Sequence, residues 1–539
     1  MKRLLFLILL ICPILVFAQM PLPTIPGDTA EDQCFEDTED TEWGVGVIVG
    51  SISLNGITYS QLRVRPEINI GKFGFGLDLD FLFGPDGSIR KEDWDNWQDY
   101  IDKIFFVRWA NRNDPIYFKA GCFPSYTLGN GLIFDHYTNM TRYPEVKNVG
   151  AQVGFNLPVL NIGGEIFTHN IHKNEILAAT AHIKPLGMIS KLDMISIPHL
   201  KDIRLGLNLG VDRNQYAKYL DSDGDGIPDI YDKFPNDPRY WLDTDNDDIP
   251  DDIDVDINGT GLIDHPSINP YVDEMYPGIT AGADSTSFNW HIVQDQATKI
   301  QKAKPLYIGS IDYSLPIIDT DRLKLNNYGE FAIISGHGNG LIFPGVGAKF
   351  LFFDAKLEMR TFSDGFVPGF FDRLYDEQRS KFHTIIEGDD SQNISYRRYG
   401  LSTKEELLKD AYASVGWFGF VRASILDFAY FKIAYQDMYS NKNTIGQSLW
   451  ASVTVNPSFI PNLEEAGVYY SQVHSKYINF RQPRNEAASL TGRVQYSLSD
   501  TTSLVASYSE TYQDINQDGK IKGDIEVIST FNMGVQFKF

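Results

Sequence analysis

The segment KFGFGLDLDFLF, which begins at Lys72, alternates apolar residues with small or charged ones. Apolar residues occupy every odd position from Phe73 to Phe83, and Asp78 and Asp80 lie at even positions between them. Successive side chains of a β-strand point to opposite faces, so this pattern predicts a strand with one apolar face and one charged face. Any fold for this chain must therefore place two unlike environments on the two sides of one sheet.

Four further segments repeat the alternation: LRVRPEINI from Leu62, IRLGLNLG from Ile203, AKLEMRTF from Ala355 and GRVQYSL from Gly492. A soluble β-sandwich would turn these charges to bulk water, whereas a membrane barrel turns its apolar face to lipid and its polar face to a wet lumen. Under the barrel interpretation, the lumen-facing charged residues are Arg63, Arg65, Asp78, Asp80, Arg204, Lys356, Glu358, Arg360 and Arg493.

The number of strands and the lengths of their connections favour the barrel. About 20 segments of about 8 to 14 residues have strand character from Trp43 onward, within the range of bacterial barrels. Short connections, such as 71–72 and 353–354, alternate with long ones, such as 85–99 and 364–410. We therefore predict an all-β fold, a transmembrane antiparallel β-barrel of about 18 to 20 strands with an irregular calcium-binding loop insertion. Its two parts span residues 43–212 and 304–539, and the insertion spans 213–303.

The last strand, IEVISTFNMGVQFKF, places Phe531, Met533, Val535, Phe537 and Phe539 on one face. This strand resembles the C-terminal signature of bacterial outer-membrane β-barrel proteins. The resemblance implies a porin-like protein of the outer membrane that contacts outer-membrane lipid and is inserted by the barrel assembly machinery. Interfacial aromatic girdles, which such barrels carry, could come from Trp43, Tyr59, Trp417, Trp450, Tyr469 and Tyr470.

The N-terminal sequence MKRLLFLILLICPILVFAQ predicts export. Two basic residues precede an apolar run, and Ala18 suits cleavage of a signal peptide over residues 1–18, which leaves 19–42 as an N-terminal mature segment. Loss of the two basic residues changes the formal net charge from −24 to −26, which argues against nucleic acid and anionic lipid as partners. Export permits a disulfide between Cys34 and Cys122 without requiring one.

An acidic stretch, DSDGDGIPDIYDKFPNDP, begins at Asp221. Seventeen acidic residues lie between Asp221 and Glu274, and the basic residues there are Lys233 and Arg239. Carboxylates at alternate positions, with a backbone carbonyl near a glycine, supply the six to eight oxygen ligands that Ca²⁺ takes. Prolines on both sides exclude the helices of an EF-hand.

The unit D-x-D-x-D-G-x-x-D-x-x-D matches from Asp221 to Asp232, and two weaker copies follow. The stretch therefore resembles a thrombospondin type 3 repeat array with its core at 221–264, and the resemblance implies structural calcium. The candidate ligands are Asp221, Asp223, Asp225, Ile227, Asp229, Asp232, Asp243, Asp245, Asp247, Ile249, Asp251, Asp254, Asp256 and Asn258. A disordered acidic loop is the alternative. A further candidate loop holds Asp514, Asn516 and Asp518, although such residues beside glycine also form ordinary turns.

Three functional classes fit these features. The first is a porin-like channel or transporter for a small solute, in which CFPSYTLGNGLIFDHYTNM, from Cys122, could fold inward as a constriction or form an external loop. The second is a surface adhesion or structural protein that binds a partner through the calcium-stiffened loop. The third, an outer-membrane enzyme, has the least support, because no G-x-S-x-G element occurs. We predict a non-enzymatic protein at the cell surface, and monomer, dimer and trimer all fit the sequence.

Overall fold

The computed structural model describes most of the chain outside the acidic insertion. The described residues are 25–26, 42–54, 57–85, 87–90, 93–94, 97–112, 114–141, 143, 146–188, 199–217, 222–223, 233–240, 250, 304–389, 394–425, 428–442, 446–455, 459–499, 502–514, 520–521 and 526–538. Among them, no helix is long and apolar enough to cross a membrane.

Twenty antiparallel strands form one closed sheet. They are β1 Glu42–Leu54, β2 Ile57–Ile70, β3 Phe73–Leu77 continued as Leu79–Phe83, β4 Ile104–Trp109, β5 Ile116–Gly121, β6 Gly150–Leu157, β7 Ile162–Thr168, β8 Ile176–Ile183, β9 Arg204–Asp212, β10 Leu306–Asp319, β11 Leu323–Ile334, β12 Asn339–Phe350, β13 Phe353–Phe362, β14 Ser414–Ile425, β15 Ala429–Tyr439, β16 Gln447–Val455, β17 Leu463–Ser475, β18 Ala488–Ser499, β19 Thr502–Tyr512 and β20 Val527–Lys538. Each strand pairs with the next along the chain, and β1 pairs with β20. The predicted all-β antiparallel barrel is confirmed.

The outer face of the barrel is apolar and the inner face is polar. In β9, Leu207 and Leu209 are half exposed, while Asn208 between them is fully buried. In β13, Leu357 is 58% exposed and its neighbour Glu358 is 2% exposed. Because the sheet closes on itself, each of the twenty strands has a neighbour on both sides. Within β3, Phe73–Leu77 pairs with both β2 and β4, whereas Leu79–Phe83 pairs with β2.

The connections at the two ends of the barrel differ in length. At one end, called here the long-loop end, lie residues 55–56, 84–103, 122–149, 169–175, 213–305, 335–338, 363–413, 440–446, 476–487 and 513–526. At the other, called the short-turn end, lie 71–72, 110–115, 158–161, 184–203, 320–322, 351–352, 426–428, 456–462 and 500–501. Three connections, 55–56, 184–203 and 335–338, depart from the predicted alternation of short and long. The turn expected at 353–354 lies at 351–352, where Leu351 has a positive φ of 50°.

The remaining elements belong to the connections. Helices α1 Trp97–Ile101 and α2 Tyr375–Gln378 are short, and 3₁₀ helices span Pro158–Leu160, Pro185–Met188, Leu200–Asp202 and Lys404–Asp410. A hairpin pairs Ser380–Asp389 with Ile394–Thr403. Two very short parallel strands, Phe134–Asp135 and Phe371–Asp372, join two different connections.

Candidate functional site

Two connections from the long-loop end fold into the barrel and fill its lumen. We call residues 122–149 the first plug loop and residues 363–413 the second plug loop. The ring of Phe134 stacks on that of Phe371 at 4.3 Å between centroids, and the amide of Phe371 donates to the carbonyl of Ile133. Both loops pack with inward residues of the wall, such as Ala332 and Met438, in one hydrophobic cluster. Of the two possibilities for the segment from Cys122 to Met140, the structure has the inward one.

The tip of the first plug loop is bound by a single carboxylate of the wall. Glu330, in β11, is 2% exposed and accepts hydrogen bonds from the amides of Asn130 at 2.7 Å and Leu132 at 3.3 Å. Ser310 of β10 donates to the other carboxylate oxygen at 2.6 Å. Hydrogen bonds in a low-dielectric site are strong, so Glu330 helps to hold the tip. The side-chain amide of Asn130 adds a hydrogen bond to the carbonyl of Gly329 at 3.3 Å.

The second plug loop is held by a buried arginine. Arg379 donates to both carboxylate oxygens of Asp212 at 2.6 and 2.7 Å, and to Glu175 at 2.8 Å. Tyr375 donates to the same Asp212 at 2.6 Å. Burial opposes the charge of Arg379, but Asp212 holds the pKa of the guanidinium above its ordinary value. The bidentate geometry gives this contact both strength and a defined orientation.

A second polar contact ties the same loop to β17. Asp372 accepts from Lys404 at 3.1 Å, and the imidazole of His474 lies 3.5 Å from the same oxygen. Burial alone would raise the pKa of Asp372, but Lys404 and His474 hold it below its ordinary value. Burial lowers the pKa of Lys404 against the effect of Asp372. The loop therefore carries its own compensated charges into the lumen.

The arginines and aspartates predicted to face the lumen from β2 and β3 hold the first plug loop. Arg65 lies 3.1 Å from Asp78, and Arg63 lies 3.3 Å from the same carboxylate and hydrogen-bonds Asp80. From the first plug loop, Lys147 lies 3.3 Å from Asp78, and Tyr143 donates a hydrogen bond to it. Sequence reasoning anticipated the four strand residues but neither loop partner.

The other charged residues assigned to the lumen also lie on the inner face. Glu358, Arg360 and Arg493 are buried, and Arg204 and Lys356 are half-buried. Their partners are inner-face residues too: Arg204 lies 3.0 Å from Asp312, and Arg493 lies 3.1 Å from Glu465. Arg360 pairs with Glu358 at 2.6 Å and with Gln436.

Some lumen residues were missed or assigned to the wrong face. Trp450 and Tyr469, expected in the aromatic girdles, line a cavity inside the barrel, and Tyr59 packs on the inner pair Ile52 and Leu82. The parity signal was present, since Trp450 shares a strand face with Ser448 and Ser452. Ile25, which no pattern marked, is completely buried against Phe418, Phe420 and Tyr469.

Almost all of the predicted calcium ligands lie outside the described residues. Of the main array, the structure describes Asp223, and of the further candidate loop it describes Asp514. Within the described part of the chain, no group of three or more histidine, cysteine or acidic side chains is arranged to hold a metal. Cys122 is a buried free thiol, and Cys34 lies outside the described residues.

Comparisons with known proteins add little to this geometry. No family model matches the sequence, and no curated protein matches it. Among solved structures, the siderophore receptor PirA from Acinetobacter baumannii is 8% identical over 93% of this chain and 81% of its own, with a TM-score of 0.33. OccK11 from Pseudomonas aeruginosa is 8% identical over 93% and 96%, with a TM-score of 0.28. The copper transporter OprC is 9% identical over 94% and 82%, with a TM-score of 0.33. Similarity this low transfers no function, so the function must be argued from the chain itself.

Proposed function

We propose that this protein is an outer-membrane β-barrel that passes a small solute through its lumen when the plug loops are displaced. The observation that carries the proposal is the inside-out arrangement of a closed barrel. Leucines and other apolar side chains cover the outside, whereas ion pairs line the inside. Such a surface suits lipid and would be costly in water. The signal peptide expected over residues 1–18 supports export to this membrane.

The way the plug is held supports a gated passage. The described contacts between plug and wall include several polar groups, notably Arg379 with Asp212 and the tip amides with Glu330. A polar contact can be exchanged for water or for a solute, so the plug can move without loss of the strand hydrogen bonds that close the wall. A barrel of 20 strands is wide enough to have a lumen once its contents move.

Conductance in planar bilayers tests this proposal. Purified wild-type protein should conduct rarely, because the lumen is filled. Arg379→Gln, which removes the charge that pairs with Asp212, should raise the open probability roughly tenfold or more, since such a contact contributes about 1.5 to 3 kcal/mol. The matched control is Arg239→Gln, an exposed arginine in residues 233–240. If neither the wild type nor Arg379→Gln conducts while both are folded, the transport proposal fails.

A second function, adhesion or structure at the cell surface, is favoured by the acidic repeats within residues 213–305. That connection belongs to the long-loop end, and long loops of bacterial barrels are extracellular. We propose structural calcium there, bound at about 10⁻⁴ to 10⁻³ M as in extracellular modules. A barrel that never conducts, but whose partner binding is lost on calcium removal, would favour this function over transport.

A further inference from the structure

Two cavities lie inside the barrel between the plug loops and the wall. The larger, of about 290 Å³, lies under the tip of the first plug loop and reaches Arg112 in a turn at the short-turn end. The smaller, of about 30 Å³, lies against the second plug loop. Pro26, Asp135, His136 and Arg360 line both cavities. The cavities are therefore adjacent, and we call the two together the passage.

Most cations of the larger cavity have a carboxylate beside them. Arg112 lies 3.0 Å from Glu165, and Arg204 and Arg360 each form an ion pair with a neighbour on the inner face. Lys356, on β13, is different. Although it is half-buried, no described carboxylate lies within 4.0 Å of its ammonium group and no described group accepts a hydrogen bond from it.

The smaller cavity has a second cation of this kind. Arg373, on the second plug loop, places its guanidinium 5.1 Å from the ring centre of Tyr469. Its Nε atom is buried and has no hydrogen-bond partner among the described residues. Burial lowers the pKa of this guanidinium, and the ring of Tyr469 offsets that effect only in part. Of the lysines and arginines that line the two cavities, these two have no described carboxylate within 4.0 Å, and Lys356 belongs to the wall and Arg373 to the plug.

Cations in this position carry a free-energy cost. A charge withdrawn from water without a counter-charge or hydrogen bonds is destabilising, so such groups usually have a partner. In a protein with a formal net charge of −24, carboxylates are abundant, and yet within the described part of the chain Lys356 and Arg373 have none beside them. An anion that enters the passage would supply the missing charge to both.

The size and lining of the larger cavity define the class of anion. A water molecule takes about 30 Å³ of liquid, so 290 Å³ holds roughly ten non-hydrogen atoms. Phe418 and Leu128 offer carbon surface, and Thr127, Asn130 and Tyr328 offer polar groups. We propose that this passage binds a small organic carboxylate, whose anionic group pairs with Lys356 in the larger cavity and next meets Arg373. The inference rests on the proposed function, because the bound carboxylate is the solute that passes.

Calorimetric titration of the purified full-length barrel tests the site, with succinate as the probe, glucose as a neutral control and inorganic phosphate as the inorganic anion. Wild-type protein should bind succinate but not glucose, and phosphate more weakly. Lys356→Gln should weaken succinate binding roughly 10- to 100-fold, the usual effect of losing a hydrogen bond to a charged group. Arg373→Gln, which changes the cation that the solute meets next, should weaken binding less. Lys356→Arg should retain most of the affinity.

The matched control is Lys324→Gln, which removes a lysine that is 61% exposed and pairs with Asp319 on the outside of the cavity. It should bind succinate like the wild type. Circular dichroism of each variant verifies the folded barrel. Folded wild type that binds no succinate, or equal affinities in the wild type and both glutamine variants, overturns the proposal. Phosphate bound as tightly as succinate overturns the organic class.

Conductance measured in parallel separates this inference from the proposed function. Succinate binding with no conductance in Arg379→Gln leaves the site in place and rejects transport. Conductance in Arg379→Gln without succinate binding, or with no preference for anions, keeps transport and rejects the carboxylate site.

Discussion

Gly129, at the tip of the first plug loop, has a backbone conformation that suits glycine. Its φ is 57°, and a Cβ there would lie 2.8 Å from Glu330 Oε1 and from Asn208 Nδ2. We expect Gly129→Ala to displace the tip, with a cost of about 1 to 2 kcal/mol for the left-handed backbone alone and more for the contacts. Amide hydrogen exchange at Asn130 and Leu132 should accelerate tenfold or more.

The control is Gly336→Ala, in the short connection 335–338. Gly336 has a φ of 80°, but a Cβ added to it would have no atom of the described residues within 4 Å. Alanine there therefore carries the backbone cost only and does not touch the plug. If amide exchange at the tip accelerates equally in both variants, the contacts of the added Cβ with Glu330 and Asn208 do not explain the displacement of the tip.

Asp376, on α2, makes plug docking dependent on pH. Burial raises the pKa of its carboxyl to about 7, against the lowering effects of Arg379 and of the hydrogen bond from Tyr137. The ordinary value is about 3.9, so docking is strongest below pH 4 with respect to this group and weakens as the pH rises through about 7. Protection factors of the amides across 375–379, which are corrected for the intrinsic effect of pH on exchange, should fall by up to tenfold per unit in that window.

Asp376→Asn should flatten this profile, because the amide does not ionise. Glu377→Gln removes the next carboxyl on the same helix, whose charge helps to raise the pKa of Asp376, so it should shift the profile toward lower pH without flattening it. A profile that persists in Asp376→Asn would assign the pH dependence to another group.

At the scale of an element, β3 is interrupted where Asp78 leaves the strand pairing. Its amide donates to the carbonyl of Lys103, and its carboxylate lies among Arg63, Arg65 and Lys147. Asp78→Asn leaves these buried cations without their shared counter-charge. We expect it to lower the free energy of unfolding by about 3 to 5 kcal/mol in urea titrations of the barrel in lipid vesicles.

Asp319→Asn provides the comparison, since Asp319 pairs with Lys324 on an exposed surface. Its cost should not exceed about 1 kcal/mol. Similar losses in the two variants would mean that burial adds nothing to the Asp78 cluster.

The acidic insertion is an element that we expect calcium to order. Removal of calcium from the purified barrel should make residues 221–264 sensitive to protease. The barrel itself should stay folded, so that its mobility on a gel run without heating does not change. Asp225→Asn should have the protease sensitivity of the calcium-free form, because Asp225 is a predicted ligand. Asp237→Asn, an acidic residue that pairs with Arg239 and lies outside the ligand pattern, should not. Protease sensitivity that ignores calcium would reject the site.

At the scale of the whole molecule, the connections predict orientation. Short turns of bacterial barrels face the periplasm, so residues 213–305 should face outward. In a background in which Cys34 and Cys122 are replaced by serine, Ser222→Cys should react with an impermeant maleimide on intact cells. Asp321→Cys, in the short turn 320–322, should react only after lysis. The reverse result would mean that the barrel has the opposite orientation in the membrane.

The barrel wall could be predicted because its information is local. Period-two alternation in each strand, the lengths of the connections and the apolar face of β20 are all properties of neighbouring residues, and they predicted an antiparallel barrel of about the observed strand number. The same parity placed Arg63 and Asp80 on one face, since adjacent antiparallel strands meet across a turn. Trp450 was assigned to the wrong face, because the preference of tryptophan for membrane interfaces was given more weight than the alternation of residues in its own strand.

The sequence by itself determined which faces of most strands are apolar, because a strand's facing repeats every two residues, and it predicted the number of strands as about 18 to 20. Only the tertiary structure decided what fills the lumen. The contacts of Phe134 with Phe371 and of Asn130 with Glu330 join residues about 200 or more positions apart along the chain, and no local period encodes such a pairing. The sequence also could not show that Lys356 and Arg373 lack a carboxylate partner among the described residues, because that depends on the positions of all their neighbours in the fold.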